Sequence, residues 1–275
     1  MIRFSVLIAV YYRDSPHYLK QAIESVCVNQ TVKPNQIVLV KDGNLTQELD
    51  CVIDEFVRNF PTVFKVIALE KNEGLANALK VGGSACDYDL IARMDADDIA
   101  FHDRFEKQIN HLINHDLDII GGQIIEFGSD ISDIISERKV PLEHHEIIRF
   151  LKYRSPFSHP TIIFKKKMFD DLNGYDYRVF PEDYDFFVRA YLKGYKFGNI
   201  KDNVLWFRLG ENRDEALKRR WGLVYAKNEV KLYKRFLDLG FYTLFDFTKV
   251  LFFKIPLRLL PFPVFKFLYF KFFRS

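Results

Sequence analysis

Four times within roughly the first 100 residues, a short apolar run is followed by a stretch with helical spacing, and this alternation constrains the fold most. Phe4–Tyr12 reads as a central strand buried on both faces. Ser15-Pro16 then supplies an N-cap and a first-turn proline to a helix carrying Leu19, Ile23 and Val26. Gln36–Val40 is a second strand ending in Lys41-Asp42-Gly43-Asn44, followed by a helix with Leu49, Ile53, Phe56 and Phe60 on one face. Lys65–Leu69 is a third strand, closed by the polar loop Lys71-Asn72-Glu73-Gly74. Leu75–Ala85 forms a short helix before a fourth strand, Leu90–Met94. Such alternation predicts an α/β fold: a mostly parallel central sheet flanked by helices on both faces. Ligands of such sheets sit at the carboxyl ends of the strands. Asp14, Asp42, Asn72, Asp95 and Asp97 are therefore expected along one edge.

The fourth strand runs into Asp95, Asp97 and Asp98. Three like charges crowded in one turn repel one another unless a cation or hydrogen-bond donors offset them. The D-x-D spacing suits a hard divalent ion, Mn²⁺ or Mg²⁺, shared between protein oxygens and phosphate. A solvated acidic turn that caps the next helix is the simpler alternative.

Downstream, Asp103–His115 is a helix with Phe105, Ile109 and Leu112 inward, and Asp118–Arg138 reads as two or three short strands. Glu143–Tyr153 is a weak helix, and Thr161–Phe164 a strand inside SPFSHPTIIF. Phe180-Pro181-Glu182-Asp183 opens a helix, because proline followed by acids favours a helix N-terminus. Lys196–Leu209 contains two short strands, and Arg213–Phe236 one long amphipathic helix.

Composition narrows the class. An apolar fraction of 48% with 28% charge is globular, and a net charge of +3 gives no global reason to expect a nucleic-acid partner. Cys27, Cys51 and Cys86 are too few and too scattered for a disulfide framework or a zinc site, which fits a reducing compartment. From Gly240 to Ser275, six basic residues stand against one acid, Asp246, among interleaved Phe, Leu and Tyr. Pro256, Pro261 and Pro263 are expected to break this tail into short pieces, so that it cannot be one spanning helix. Apolar faces with snorkelling cations suit a peripheral position on an anionic membrane through residues 241–275. The alternative is an appendage packed on the rest of the chain or on a partner.

Five segments, FSVLIAVYY, IVLVKDGN, KNEGLANAL, RMDADD and PEDYDFFVRA, come in an order that resembles the family 2 inverting glycosyltransferases of the GT-A fold, of the bacterial O-antigen and capsule type. The resemblance covers roughly Phe4 to Leu209. It implies a GT-A domain over 1–210, with a nucleotide-binding half at 1–100 and an acceptor and catalytic-base half at 101–210, followed by a helical extension at 211–275. By the resemblance, Asp183 is the catalytic base. Ala9, Tyr11, Asp42, Asn72, Gly74, Arg93, Asp95 and Asp97 line the nucleotide-sugar site, with Asp97 on the metal and Asp95 on the metal or the ribose. His159 and Glu182 lie on the acceptor side, and Arg208 is a further candidate for the donor diphosphate. Lys41 departs from the commoner acidic residue before Asp42, and the Q-x-x-R-W element of processive members is absent, so a single transfer is implied.

The implied chemistry is coherent on physical grounds. A divalent ion neutralises charge developing on a diphosphate leaving group. A carboxylate at Asp183 takes the proton of an attacking hydroxyl, and its helix N-terminus is expected to lower its pKa. One direct displacement inverts the anomeric centre. The expected donor is UDP-linked galactose or an N-acetylhexosamine, and the expected acceptor a saccharide, lipid-linked, met in the cytoplasm at the inner face of a bacterial plasma membrane. A sugar nucleotidyltransferase would need a glycine-rich loop after the first strand, where Tyr11-Tyr12-Arg13-Asp14 has no glycine. A catalytically silent nucleotide-binding partner is the remaining alternative, opposed by the joint presence of Asp42, Asp95, Asp97 and Asp183.

Overall fold

A computed structural model describes residues 2–210, 213–218 and 220–273. The first part alternates as expected: β1 (Phe4–Val10), α1 (Pro16–Cys27), β2 (Gln36–Lys41), α2 (Gln47–Asn59), β3 (Phe64–Ala68), α3 (Leu75–Ser84) and β4 (Leu90–Met94). A two-residue β5 (Ile99–Ala100), α4 (Arg104–Asn114), β6 (Ile119–Phe127), β7 (Ile134–Arg138) and α5 (His144–Leu151) follow. Then come β8 (Ile163–Lys165), α6 (Lys166–Asp171), α7 (Glu182–Leu192) and β9 (Phe197–Arg208). The chain ends in α8 (Arg213–Lys218), α9 (Leu223–Asp238), α10 (Leu244–Leu259) and α11 (Phe262–Phe273).

One curled sheet runs through the molecule in the order β3-β2-β1-β4-β8-β6-β9-β5, with β7 paired to β6. β3, β2, β1 and β4 are parallel, and in chain order α1, α2 and α3 cross over between β1 and β2, β2 and β3, and β3 and β4, each bringing the chain back to the starting edge. β8 and β6 are antiparallel to their neighbours, while β9 runs parallel to β6 and β5 closes antiparallel on β9. Val10 pairs with Lys41 and Ile8 with Met94, so the turns after β1, β2 and β4 emerge along one edge.

Period-two alternation sends β1 residues to both faces. Phe4, Val6 and Ile8 pack with α1, α2 and α4 through Leu19, Ile23, Ile53 and Phe105. Leu7 and Val38 face α3, α6, α7 and α9 through Leu79, Phe169, Phe186 and Phe236. Each such side chain withdrawn from water contributes roughly 1.5–3 kcal/mol, so the two layers hold the carboxyl edge of the sheet rigid. The expected cap also forms: Ser15 Oγ accepts from the Tyr18 N–H at 3.5 Å.

Three expectations are corrected. Lys196–Leu209 is one strand, β9, because it pairs with β6 along its length and the irregularity is absorbed as register shifts between Gly121 and Ile124. The helix expected over Arg213–Phe236 is interrupted at Gly222, whose φ of +91° is disfavoured for residues with a side chain and whose N–H donates to the Arg258 carbonyl at 3.1 Å. Pro256 does not break the tail; it lies inside α10, on that helix's exposed side, where the carbonyl it leaves unbonded can be hydrated. Among the described residues no helix is long and apolar enough to cross a membrane.

Candidate active site

The turn after β4 brings the Asp95, Asp97 and Asp98 carboxylates together, with ligand oxygens within 4.8 Å of one another. Local sequence explains the turn: β4 ends at Met94, and two residues of β5 are enough to hand the chain to β9. Asp98 is fully buried. Its Oδ1 accepts from the Arg208 N–H at 2.8 Å, and its Oδ2 has no hydrogen-bond partner among the described residues. Burial and the adjacent Asp97 charge push its pKa well above the usual carboxylate range. Burial and Asp95 likewise push Asp97 up to about 6. Asp14, which accepts from the Tyr11 N–H at 2.9 Å, is raised by burial and by the charges of Asp97 and Asp95 to about 7.

Such crowding is costly for the protein alone, and it is relieved by a cation. The donors are hard oxygens, one of them buried and unpartnered, which fits a divalent ion of the Mg²⁺ or Mn²⁺ kind.

Arg93 lies at the centre. It is 2% exposed and ion-paired to Asp95, while its Nε and Nη1 have no partner among the described residues. Its charge acts on Asp97, Glu182, Asp183 and His159, so β4 and the start of α7 face a common space. A buried guanidinium with two unused donor groups is suited to oxygen-rich ligands.

Asp183 Oδ1 accepts from the Tyr184 N–H at 2.8 Å, and Oδ2 accepts from the Ser155 hydroxyl at 3.3 Å. The expected lowering of its pKa is corrected. Burial outweighs those donors and the Arg220 charge, and the carboxyl is raised. The helix N-terminus is present but the group has lost too much water. A raised pKa makes the ionised form a stronger proton acceptor. Neighbouring Glu182 is raised to about 7 by burial and by Asp183.

Asp42, Asn72 and Gly74 form a second group at the ends of β2 and β3. The Asp42 carboxylate accepts from the Glu73 N–H at 2.7 Å and the Gly74 N–H at 3.0 Å, and Asn72 Nδ2 donates to the Asp42 carbonyl at 3.4 Å. Gly43 permits this approach: its φ is +83°, and a Cβ there would meet the Asn72 nitrogen at 2.6 Å. Lys41 pairs with Asp50 at 2.6 Å. Ala9 is half-buried on β1, and Tyr11 leads into the Asp14 turn.

His159 contacts the Tyr175 hydroxyl at 2.8 Å, and burial together with Arg93 keeps its pKa well below the ordinary value, so it is neutral. The Arg208 guanidinium is engaged by the protein itself. Its guanidinium donates to the Asp97 carbonyl at 2.8 Å, the Ser129 carbonyl at 2.5 Å and Gln21 Oε1 at 2.7 Å, and it stacks 3.9 Å from the Tyr18 ring centre. It braces the acidic turn from behind.

Two further arginines bear on the site and were not among the residues singled out from the sequence. Arg104, fully buried, bridges the carbonyls of Arg93 and Pro160 and so ties β4 to the His159 turn. Arg220-Trp221 retains the arginine and tryptophan of the processive element with Leu217 in its glutamine position, and Arg220 acts on Asp183. The R-W pair was a usable signal; burial of Arg104 was not.

The family model for glycosyl transferase family 2 matches residues 5–172, which include Asp42 and the Asp95–Asp97–Asp98 turn and stop short of Glu182 and Asp183. The chain belongs to that family. This glycosyltransferase is 38% identical over 275 residues, all of both chains, to an uncharacterized glycosyltransferase of Haemophilus influenzae. It is 33% identical to the amylovoran biosynthesis glycosyltransferase AmsE of Erwinia amylovora, over 97% of each chain. It is 35% identical to the UDP-Gal:alpha-D-GlcNAc-diphosphoundecaprenol beta-1,3-galactosyltransferase of Escherichia coli, over 94% of this chain and 92% of that one. The solved mannosyltransferase PcManGT from Pyrobaculum calidifontis, in complex with GDP-Man and Mn²⁺, superposes with a TM-score of 0.67 at 14% identity, covering 96% of this chain and 73% of that one. The fold is thus GT-A, and the named bacterial relatives include an amylovoran biosynthesis enzyme and a galactosyltransferase acting on a diphosphoundecaprenol-linked sugar.

Proposed function

We propose that this glycosyltransferase moves one sugar, galactose or an N-acetylhexosamine, from a UDP-linked donor to a lipid-linked saccharide acceptor, with inversion at the anomeric carbon. The observation that carries the reading is Arg93, buried with unused donors, between the Asp95–Asp97–Asp98 carboxylates and Glu182-Asp183. The named donor and diphosphoundecaprenol acceptor of the Escherichia coli relative support the two substrates.

Residues 1–100 serve as the donor half and 101–210 as the acceptor half. Ala9, Tyr11, Asp42, Asn72 and Gly74 receive the nucleotide, with Asp42 shaping the loop that closes on it. Asp95 and Asp97, with Asp98 beside them, hold a divalent ion, which supplies charge neutralisation at the leaving diphosphate. Arg93 orients donor oxygens. The acceptor hydroxyl, placed near Glu182 and His159, loses its proton to Asp183 as its oxygen attacks the anomeric carbon and the diphosphate departs. The resemblance of the PEDYDFFVRA segment, which carries Asp183, to the family's catalytic-base motif supports a single displacement. The reaction is assigned to the cytoplasmic face of the plasma membrane.

The test is donor hydrolysis and transfer across UDP-, GDP- and dTDP-sugars, with Mn²⁺, Mg²⁺ or EDTA and a polyprenyl-diphosphate saccharide as acceptor. Metal-dependent transfer from one UDP-sugar, with inverted product, is expected. Transfer unaffected by EDTA, or from a GDP-sugar alone, overturns the metal or the donor assignment respectively.

A further inference from the structure

Among the described residues, the last two helices leave an apolar face without protein cover. On α10, Phe245, Phe252 and Leu259 recur every seven residues and are all exposed, at 73%, 74% and 54%. Residues seven apart lie nearly on one line of a helix, so these make a stripe, flanked by Leu244 and Phe253. α11 extends it with Val264, while Phe265 on its inner side is fully buried. Leu223 and Val224, at the start of α9, are exposed as well.

The helices are held against the protein, so this face is a fixed surface and not a loose tail. Arg258 pairs with Glu229 at 2.8 Å with both side chains nearly buried, Lys152 donates to the Phe241 carbonyl at 2.6 Å, and Trp221 Nε1 donates to the Leu260 carbonyl at 2.7 Å. Pro256 lies on the exposed side of α10.

We infer that this face is a docking surface for an anionic lipid membrane. Charge selects that occupant: after Asp246 no acidic residue follows to the last residue, and although Arg258 is taken up by Glu229 and Lys266 by Asp214, Lys249 on α10 is left on the apolar side. Lys249 is exposed and lies 5.4 Å from the ring of Tyr153, itself exposed, at the rim of the stripe. Aromatic and aliphatic side chains with basic neighbours insert into the headgroup boundary and meet its negative potential. A second copy docked through the same face would set like charges against each other.

The surface also adjoins the site. The turn whose Arg220 acts on Asp183 continues, through Gly222, into exposed Leu223 and Val224. A docked molecule therefore holds the acceptor side of its cleft next to the lipid surface. The inference deepens the proposed use of a lipid-linked acceptor and rests on that reading only for its purpose.

Flotation of the full chain with phosphatidylglycerol–phosphatidylcholine vesicles, against phosphatidylcholine alone, tests it without any transfer assay. Wild type is expected to float with the anionic vesicles and to be released by high salt. F245E/F252E, at two exposed positions on α10, should lower partitioning by about tenfold or more. Its thermal unfolding and UDP binding should match wild type. A K249E variant should weaken binding only to the anionic vesicles. Undiminished flotation of F245E/F252E overturns the docking surface, as does a wild-type dimer that this variant dissolves without wild type binding vesicles. Loss of flotation with transfer to a soluble saccharide acceptor preserved supports docking. Failure of both wild-type UDP binding and transfer would overturn the functional reading and leave docking to be judged by flotation.

Discussion

The Arg104 guanidinium donates from Nη2 to the main-chain carbonyl of Arg93 at 2.7 Å. The same nitrogen reaches the Pro160 carbonyl at 2.9 Å, and Nε reaches Gln108 Oε1 at 3.1 Å. A helix that begins just past the acidic turn thereby fixes the strand entering that turn and the segment carrying His159. Arg104 contacts no carboxylate, and burial followed by the Arg93 charge lowers its pKa to about 9.

Arg104→Met leaves the Arg93 and Pro160 carbonyls buried without that donor. A loss of about 2–4 kcal/mol in unfolding free energy is expected, read from the urea midpoint. Arg104→Lys should recover only part of it, because an ammonium cannot span the same forked set of acceptors.

Stability without metal should fall as pH rises. Asp14, Asp97 and Glu182 sit at about 7, about 6 and about 7 in the folded protein, above their ordinary values of 3.8, 3.8 and 4.5. The folded state holds these protons more tightly than the unfolded chain, so it loses relative stability between about pH 4 and about pH 7 and levels off above. Tm in EDTA should fall across that window. Because a metal binds the ionised carboxylates, the rise in Tm with Mn²⁺ should be larger at about pH 7.5 than at about pH 5. A Tm in EDTA that climbs through the window would falsify the raised pKa values.

Asp97→Asn keeps the side-chain size and removes a charge from the cluster. Transfer should drop by on the order of 10²–10³, and calorimetry should show UDP-sugar binding no longer enhanced by Mn²⁺.

Asp183→Asn removes the proton acceptor and keeps one oxygen, enough for the Tyr184 N–H, while the Ser155 hydroxyl must turn to accept from the new amide. Acceptor-dependent transfer should fall by about 10²–10⁴ with donor binding unchanged. Glu182→Gln should change the acid limb of the pH–rate profile more than the maximal rate, since it withdraws the neighbouring charge.

Gly43→Ala forces a side chain into a backbone of φ +83° and against the Asn72 nitrogen. About 1–2 kcal/mol of strain is expected, with KM for the donor rising more than kcat falls, because the loop that Asp42 clamps moves away.

Period and punctuation were legible locally. Ser15-Pro16 announced α1, and the polar turns after Val10, Lys41 and Met94 emerge on one edge as the alternation implied. Less local features were not. β9 looked like two strands because its continuity depends on β6, its partner some 80 residues away. Arg208 looked like a ligand-binding cation, yet its partners are Gln21, Asp97 and Ser129, three segments that no spacing rule connects. The turn after Leu217 hides in a helical pattern, since one glycine at positive φ overrides it.

By itself the sequence determined the strand–helix order, the acidic turn after Leu90–Met94 and the basic, aromatic tail. Each depends on neighbours within a turn or two of the chain, where side-chain period and backbone preference act directly. Tertiary structure alone decided that Arg93 would be buried with unused donors, that Asp183 would lose enough water for its pKa to rise, and that α10 would turn Phe245 and Phe252 outward. Those outcomes depend on which distant groups exclude solvent, and desolvation is a property of the packed assembly of segments.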